Sequence, residues 1–275
     1  MRRLVGIPPI HGHESPASWL TRAALSQGVE VKELMTYVGL SVKRDPDLTL
    51  AGNALWNVAN LTGQAVSSFG FAEHMFSGVR SIDPTGEDFL LWTKNGMPRY
   101  RYCSLCLHEP GCKHFPLHWR FKAWRWCPIH DCLLGERCPH CRCDLQLPGD
   151  MLNAGLKREG VAHLGHCLKC AERLDTGWES TPHPLKEGLV AGWEKAVLEN
   201  GRALLAAIFH RHFFITGNAK RHSLDSLTRF KKMGVLPQDL LLLSGQSLQV
   251  RRNQRKATLR NHPGFYEGRS ARERS

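Results

Sequence analysis

Four pairs of cysteine or histidine, each with a gap of two residues, crowd the middle of the chain: Cys103/Cys106, Cys127/His130, Cys138/Cys141 and Cys167/Cys170. No other feature limits the possible folds as strongly. A two-residue gap lets both donors of one tight turn reach the same tetrahedral ion, and a loop or hairpin brings a second pair round to complete four-coordination. Twenty residues lie between the first pair and the second, and twenty-five between the third and the fourth. The spacing predicts two structural zinc ions. A site closed by four protein ligands leaves no position for substrate, so this centre reads as scaffold.

Only seven residues separate His130 from Cys138, which suits sequential or interleaved pairing. Sequential pairing gives one site of Cys103, Cys106, Cys127 and His130 and another of Cys138, Cys141, Cys167 and Cys170. Both are common zinc sets, and this is the assignment adopted. The chain has ten cysteines and fifteen histidines, so other pairings exist. Cys112, Cys132 and Cys143 fall outside the paired spacings, as do His108, His114, His118, His140, His163 and His166, and none is assigned a ligand role. Cys143 is the nearest rival, but the single-residue gap in Cys141-Arg142-Cys143 makes joint ligation harder than the two-residue turn.

The remaining properties fit a reduced, unexported protein. Hydrophobic residues make up 42% of the 275, enough for a core, yet no apolar run reaches the eighteen or so residues of a membrane span. The basic opening Met1-Arg2-Arg3 is followed by Pro8 and Pro9 where a signal peptide would stay apolar. CxxC spacing without a signal favours metal-bound thiolates over disulfides, and the expected compartment is the cytoplasm.

The net charge of +12 is unevenly placed. Residues 1–100 carry nine basic and nine acidic side chains, residues 101–180 eleven and nine, and residues 181–275 seventeen and seven. An excess confined to the C-terminal third favours a polyanionic partner there, because neutralised phosphates release counterions. Arg251, Arg252, Arg255, Lys256 and Arg260 are the expected phosphate contacts, positioning without reading sequence. The alternative is a solubilising tail.

Four segments follow from these patterns. Residues 1–99 read as a helical module. Ser15 caps a helix with Pro16 at its first position, Trp19, Leu20, Ala23 and Ala24 recur on one side, and Gly28 ends it. A second helix spans about Val31–Val38 and stops at Gly39, a third runs from near Asp47 to Gly63, and a fourth covers Ala65–Phe76. Short helices punctuated by glycines fit a helix-turn-helix arrangement and equally a plain bundle. Residues 100–180 are rich in Cys, His, Trp, Pro and Gly and read as tandem zinc ribbons or knuckles with small β elements. Within them, Trp124-Arg125-Trp126 suits a short strand, and Trp119-Arg120 is expected to pack between the two zinc lobes rather than stack on bases. Residues 181–249 return to helical periodicity. Leu189, Trp193, Val197, Leu204, Leu205 and Ile208 lie on one long helix with a break at Gly201, followed by helices over Leu224–Met233 and Pro237–Leu243. Residues 250–275 read as a basic, disordered tail. The expected fold class is mainly α with small zinc-stabilised β elements.

Enzymatic motifs are missing. A zinc deaminase needs H-x-E and P-C-x-x-C, but His13-Glu14 lacks the intervening residue and Arg137 precedes Cys138. Neither HExxH nor a Walker A motif occurs.

Two blocks of the sequence carry a family resemblance. Glu14-Ser15-Pro16-Ala17-Ser18-Trp19-Leu20-Thr21-Arg22-Ala23-Ala24 resembles the E-S-x-x-S-W-L-x-R-x-A opening of TniQ-family proteins. Cys103-x-x-Cys106, His118-Trp119-Arg120, Cys127-Pro128-x-His130, Leu133-Leu134 and Cys138-Pro139-x-Cys141 follow the order and near spacing of that family's central block. Together they cover about Ile7 to Cys170. Pro16 replaces a frequent leucine, Cys132 stands where glycine is common, and the C-terminal hundred residues match no block.

The resemblance implies a non-catalytic adaptor for target-site selection in DNA transposition, acting in the bacterial cytoplasm and on the nucleoid when bound to its target. Such proteins link a target to an AAA+ ATPase regulator, which recruits the transposase. Some, the TnsD-like members, read DNA directly; others dock on an RNA-guided CRISPR effector complex and can form homodimers. By motif, the resemblance also implies the two zinc sets named above. The competing expectation is a zinc-containing DNA-binding transcriptional regulator.

Overall fold

The computed structural model describes residues 2–111, 113–152, 162–176, 191–214 and 220–232. Helix α1 spans Pro16–Gln27. Ser15 accepts from the Ser18 N–H, Pro16 occupies the first turn where no N–H is needed, and Gly28 at φ 64° closes the helix. Helix α2, Val31–Tyr37, starts with a capping box in which Glu30 and Glu33 each accept from the other's backbone.

The long third helix expected from Asp47 to Gly63 is two helices, α3 over Pro46–Thr49 and α4 over Gly52–Thr62. Leu50 leaves helical geometry at ψ 82° and Gly52 takes φ +52°, so the chain turns between them. Leu50 is thereby buried in the same cluster as Leu55 and Val58, a gain one straight helix would forgo. After a 3-10 turn over Val66–Phe69, α5 continues from Gly70 to Ile82, beyond the expected end at Phe76. Ala72, Met75, Phe76 and Val79 mark its buried face. The described helices and small antiparallel sheets do not by themselves define a helix-turn-helix or a zinc ribbon.

Helix α1 is buried almost throughout because it serves two clusters. Trp19, Leu20, Ala23 and Ala24 pack with α2 and α4, whereas Ala17 joins the cluster that runs through α5 into the cysteine-rich segment. Burial of such side chains contributes about 1.5–3 kcal/mol each for the larger ones.

The cysteine-rich segment contains strands β1 (Arg99–Tyr100), β2 (Trp126–Cys127), β3 (Cys132–Leu133) and β4 (Leu145–Gln146), with the short helix α6 over Ser104–His108. Strand β1 pairs antiparallel with β4, and β2 with β3 in a register that sets Cys127 opposite Cys132.

Helix α7, Ala191–His210, lies on α5 and on β2. It runs unbroken through Gly201, where a break was expected. A Cβ at that position would sit 2.8 Å from the Ala123 carbonyl oxygen and 3.0 Å from the Trp124 ring, so this glycine permits close approach rather than ending the helix. Its C-terminus is tied to α5: His74 Nε2 is 2.7 Å from the Phe209 carbonyl, and Arg211 donates to the His74 carbonyl. A hairpin of β5 (His212–Phe214) and β6 (Arg221–Ser223) follows, then α8 over Ser226–Lys232. The helix expected over Pro237–Leu243 lies outside the described residues.

Candidate metal centres

Two groups of four donors converge. The sulfurs of Cys103, Cys106 and Cys127 and one ring nitrogen of His130 all lie within 4.8 Å of one another, and so do the sulfurs of Cys138, Cys141, Cys167 and Cys170. Three knuckles of like shape and one helix start bring them there. Cys103 caps α6, and its sulfur accepts from the Cys106 N–H at 3.5 Å. In the other three, the residue after the second donor is forced into the left-handed region: Asp131 at φ 53°, Arg142 at 60° and Ala171 at 66°. That conformation costs a side-chain-bearing residue about 1–2 kcal/mol. Its repetition at one position shows that donor convergence outweighs backbone preference here.

The donors fit zinc. With Zn–S near 2.3 Å, ligand sulfurs of a tetrahedral site stand about 3.8 Å apart. Cys106 and Cys127 are 3.7 Å apart in the first group, and Cys138–Cys170 and Cys141–Cys167 are each 3.7 Å apart in the second. His130 points Nδ1 at Cys103 (3.5 Å), Cys106 (3.2 Å) and Cys127 (3.7 Å). Its other nitrogen, Nε2, is 2.9 Å from a Glu109 oxygen, the carboxylate partner that fixes the tautomer of a metal-bound imidazole. Sulfur-rich sets of this kind suit zinc rather than magnesium or calcium.

Proton affinities across each group are strongly mutual. Hydrogen bonding from Cys106 draws the Cys103 thiol down to about 6, and contact with the Cys103 sulfur raises His130 to about 10. Burial opposes a thiolate on Cys141, but hydrogen bonds from the Cys143 backbone and side chain bring it down to about 6. Crowded sulfurs that share protons exchange them readily for a cation.

The residues set aside as non-ligands divide. His108 lies 3.4 Å from Asp175, and His140 Nε2 is 3.1 Å from the Arg173 carbonyl. His163 and His166 stack at 4.1 Å, and burial beside Trp119 and Trp124 pushes His118 down to about 3. Cys132 and Cys143, by contrast, reach the clusters. The Cys132 sulfur is 3.7 Å from Cys103, and that of Cys143 is 3.2 Å from Cys141 and 3.5 Å from Cys167. Sequence spacing had hidden this, although the repeated sextet Cys-Pro-x-(His/Cys)-x-Cys at Cys127 and Cys138 was the available signal. Cys112 lies outside the described residues, as do Arg251, Arg252, Arg255, Lys256 and Arg260.

Trp119-Arg120 does not sit between the zinc lobes. Arg120 is fully buried and donates to Asp45 at 2.9 and 2.5 Å and to Asp47 at 2.7 Å, both at the start of α3. Burial opposes its charge, but Asp45, Tyr100 and Asp47 hold its pKa above the ordinary arginine value. The Tyr100 hydroxyl donates to Asp47 and lies 3.0 Å from Ser15 Oγ, which joins the site to the α1 cap. The opening motif has equally specific work. Glu14, buried, accepts from Arg22 at 2.7 and 2.8 Å and from Ser18 Oγ at 2.8 Å, while Ser18 Oγ accepts from the Phe115 N–H. Trp19 donates from Nε1 to the Pro8 carbonyl and meets Phe69 edge-on.

No helix among the described residues is long and apolar enough to cross a membrane. No curated protein matches the chain. The family model TniQ matches residues 6–134, a span that contains the first donor group and stops short of the second.

Proposed function

We propose, from the TniQ domain formed by residues 6–134, that this chain is a non-catalytic adaptor for target-site selection in DNA transposition. That match is the observation that carries the reading, and it supports a transposition-associated role directly. The finer reading is that the protein links a DNA target, or a complex already on the target, to an AAA+ ATPase regulator and its transposase. Cys103, Cys106, Cys127 and His130 would hold one zinc ion and Cys138, Cys141, Cys167 and Cys170 a second, each as structural support. Zinc there would lock loops that cannot bury enough apolar surface alone.

Helical faces would make the partner contacts. On α4, Asn53, Trp56, Asn57 and Asn60 are exposed along one side, with Trp56 60% exposed, and the helix carries no charged side chain. Equal numbers of acidic and basic residues over 1–100 suit protein docking there, whereas Arg251, Arg252, Arg255, Lys256 and Arg260 would bind phosphates. The same residues serve a direct DNA reader, a partner of an RNA-guided complex, or a homodimer.

The test is insertion-site mapping in cells that carry the matching transposase and AAA+ ATPase. Expected is a sharp target preference that collapses when this gene is deleted, and loss of ATPase co-purification in Trp56→Ala with melting unchanged. An unaltered insertion profile would overturn transposition and favour a zinc-containing DNA-binding regulator.

A further inference from the structure

The two extra thiols at the donor groups share one structural origin. Cys127-Pro128-Ile129-His130-Asp131-Cys132 and Cys138-Pro139-His140-Cys141-Arg142-Cys143 are the same sextet, with a left-handed residue at the fifth position of each. That residue reverses the chain, so the sixth residue returns beside the first. Cys127 and Cys132 are direct antiparallel partners, and the Cys138 N–H donates to the Cys143 carbonyl at 2.9 Å. Directly opposed side chains on such a pair are neighbours. The knuckle at Cys167 makes the same return, with its N–H on the Glu172 carbonyl at 2.8 Å, but there the sixth residue is glutamate.

Each group therefore presents five donors to one point. Cys132 reaches both Cys103, at 3.7 Å, and Cys127, while Cys143 lies 3.2 Å from Cys141 and 3.5 Å from Cys167. These separations equal or undercut those between the four paired donors themselves, about 3.7 Å. Zinc takes four ligands and has no electronic preference among tetrahedral sets of sulfur and nitrogen.

We infer that Cys132 and Cys143 are reserve zinc ligands, which complete four-coordination when His130 or Cys141, respectively, lets go. The exchange is balanced: the incoming cysteine binds as thiolate and its proton passes to the departing His130 nitrogen or Cys141 sulfur. Cys138 has no such substitute at its own position, because its printed sulfur neighbour is the paired ligand Cys170.

The inference rests on the two-zinc reading, and metal content of the full chain separates the two. Wild type should hold about two zinc ions; fewer would overturn the centres themselves. His130→Ala and Cys141→Ser should each keep about two, while the pairs His130→Ala/Cys132→Ser and Cys141→Ser/Cys143→Ser, and Cys138→Ser alone, should each lose about one. With cobalt(II) in place of zinc, His130→Ala should show a stronger sulfur-to-metal charge-transfer band, as three thiolates become four. Loss of one ion in both single variants, with two in wild type, would overturn the reserve role alone. If those variants do not fold, Cys132→Ser and Cys143→Ser retain complete paired sets and decide the matter. Each should pass zinc to a chromogenic chelator faster than wild type, by roughly tenfold, the scale of a lost supporting contact. Equal release rates in all three proteins would refute it.

Discussion

Arg120 shows how much a single side chain can hold in this protein. It is fully buried, its guanidinium spans Asp45 and Asp47, and it lies 4.9 Å from the Trp92 ring centre and 5.5 Å from that of Tyr100. Removal of one member of such a group strands the others without water, which costs about 3–5 kcal/mol. Arg120→Met should therefore lower unfolding free energy by about that amount, read as the urea midpoint at constant slope. A loss under about 1 kcal/mol would show that Asp45 and Asp47 find other partners. The sequence marks Arg120 as part of a family motif but says nothing of its partners, which lie 73 and 75 residues earlier. Glu14, Ser15 and Ser18 differ in this respect. Ser15 was legible as a cap because its bond reaches only to Ser18, whereas the contacts of Ser18 with Phe115 and of Ser15 with Tyr100 span whole modules.

At the scale of elements, local signals served where the governing contact is local. Pro16 and Gly28 delimit α1, and Gly39, at φ 78°, follows α2 as expected. Tertiary packing overrode them elsewhere. Continuous periodicity from Asp47 to Gly63 conceals the bend that buries Leu50, and the hairpin of β5 and β6 is too short to show alternation. Gly201 is the clearest case, since a helix-weakening residue is kept where α7 crosses the Ala123–Trp124 backbone. Gly201→Leu should destabilise the protein by about 1–3 kcal/mol despite leucine's better helix propensity, because the side chain must displace main-chain atoms. A rise in melting temperature for this variant would mean that α7 stands off from that crossing.

Over the whole molecule, the donor groups belong to the largest hydrophobic cluster. Cys103, Cys127, Cys138 and Cys167 are buried in it with Ala17 of α1, Phe76 and Val79 of α5, and Leu204 and Ile208 of α7. Metal removal should consequently reach well beyond the knuckles. With both zinc ions taken by a strong chelator, the helices as well as the cysteine-rich segment should melt at markedly lower temperature, followed by far-ultraviolet circular dichroism. An unchanged helical transition would show that the helices stand without the metal. Cysteine spacing, helix caps and charge distribution, all readable within a few residues or by counting, determined the two donor groups, the first helices and the class of partner expected. Only the tertiary structure decided that α1 serves two clusters, that Arg120 faces the N-terminal helices, and that Cys132 and Cys143 join the donors. The reason is physical: caps and knuckles are set by hydrogen bonds over three to five residues, whereas buried charge pairing, close helix crossing and the meeting of a fifth sulfur with a distant knuckle depend on which surfaces exclude water together.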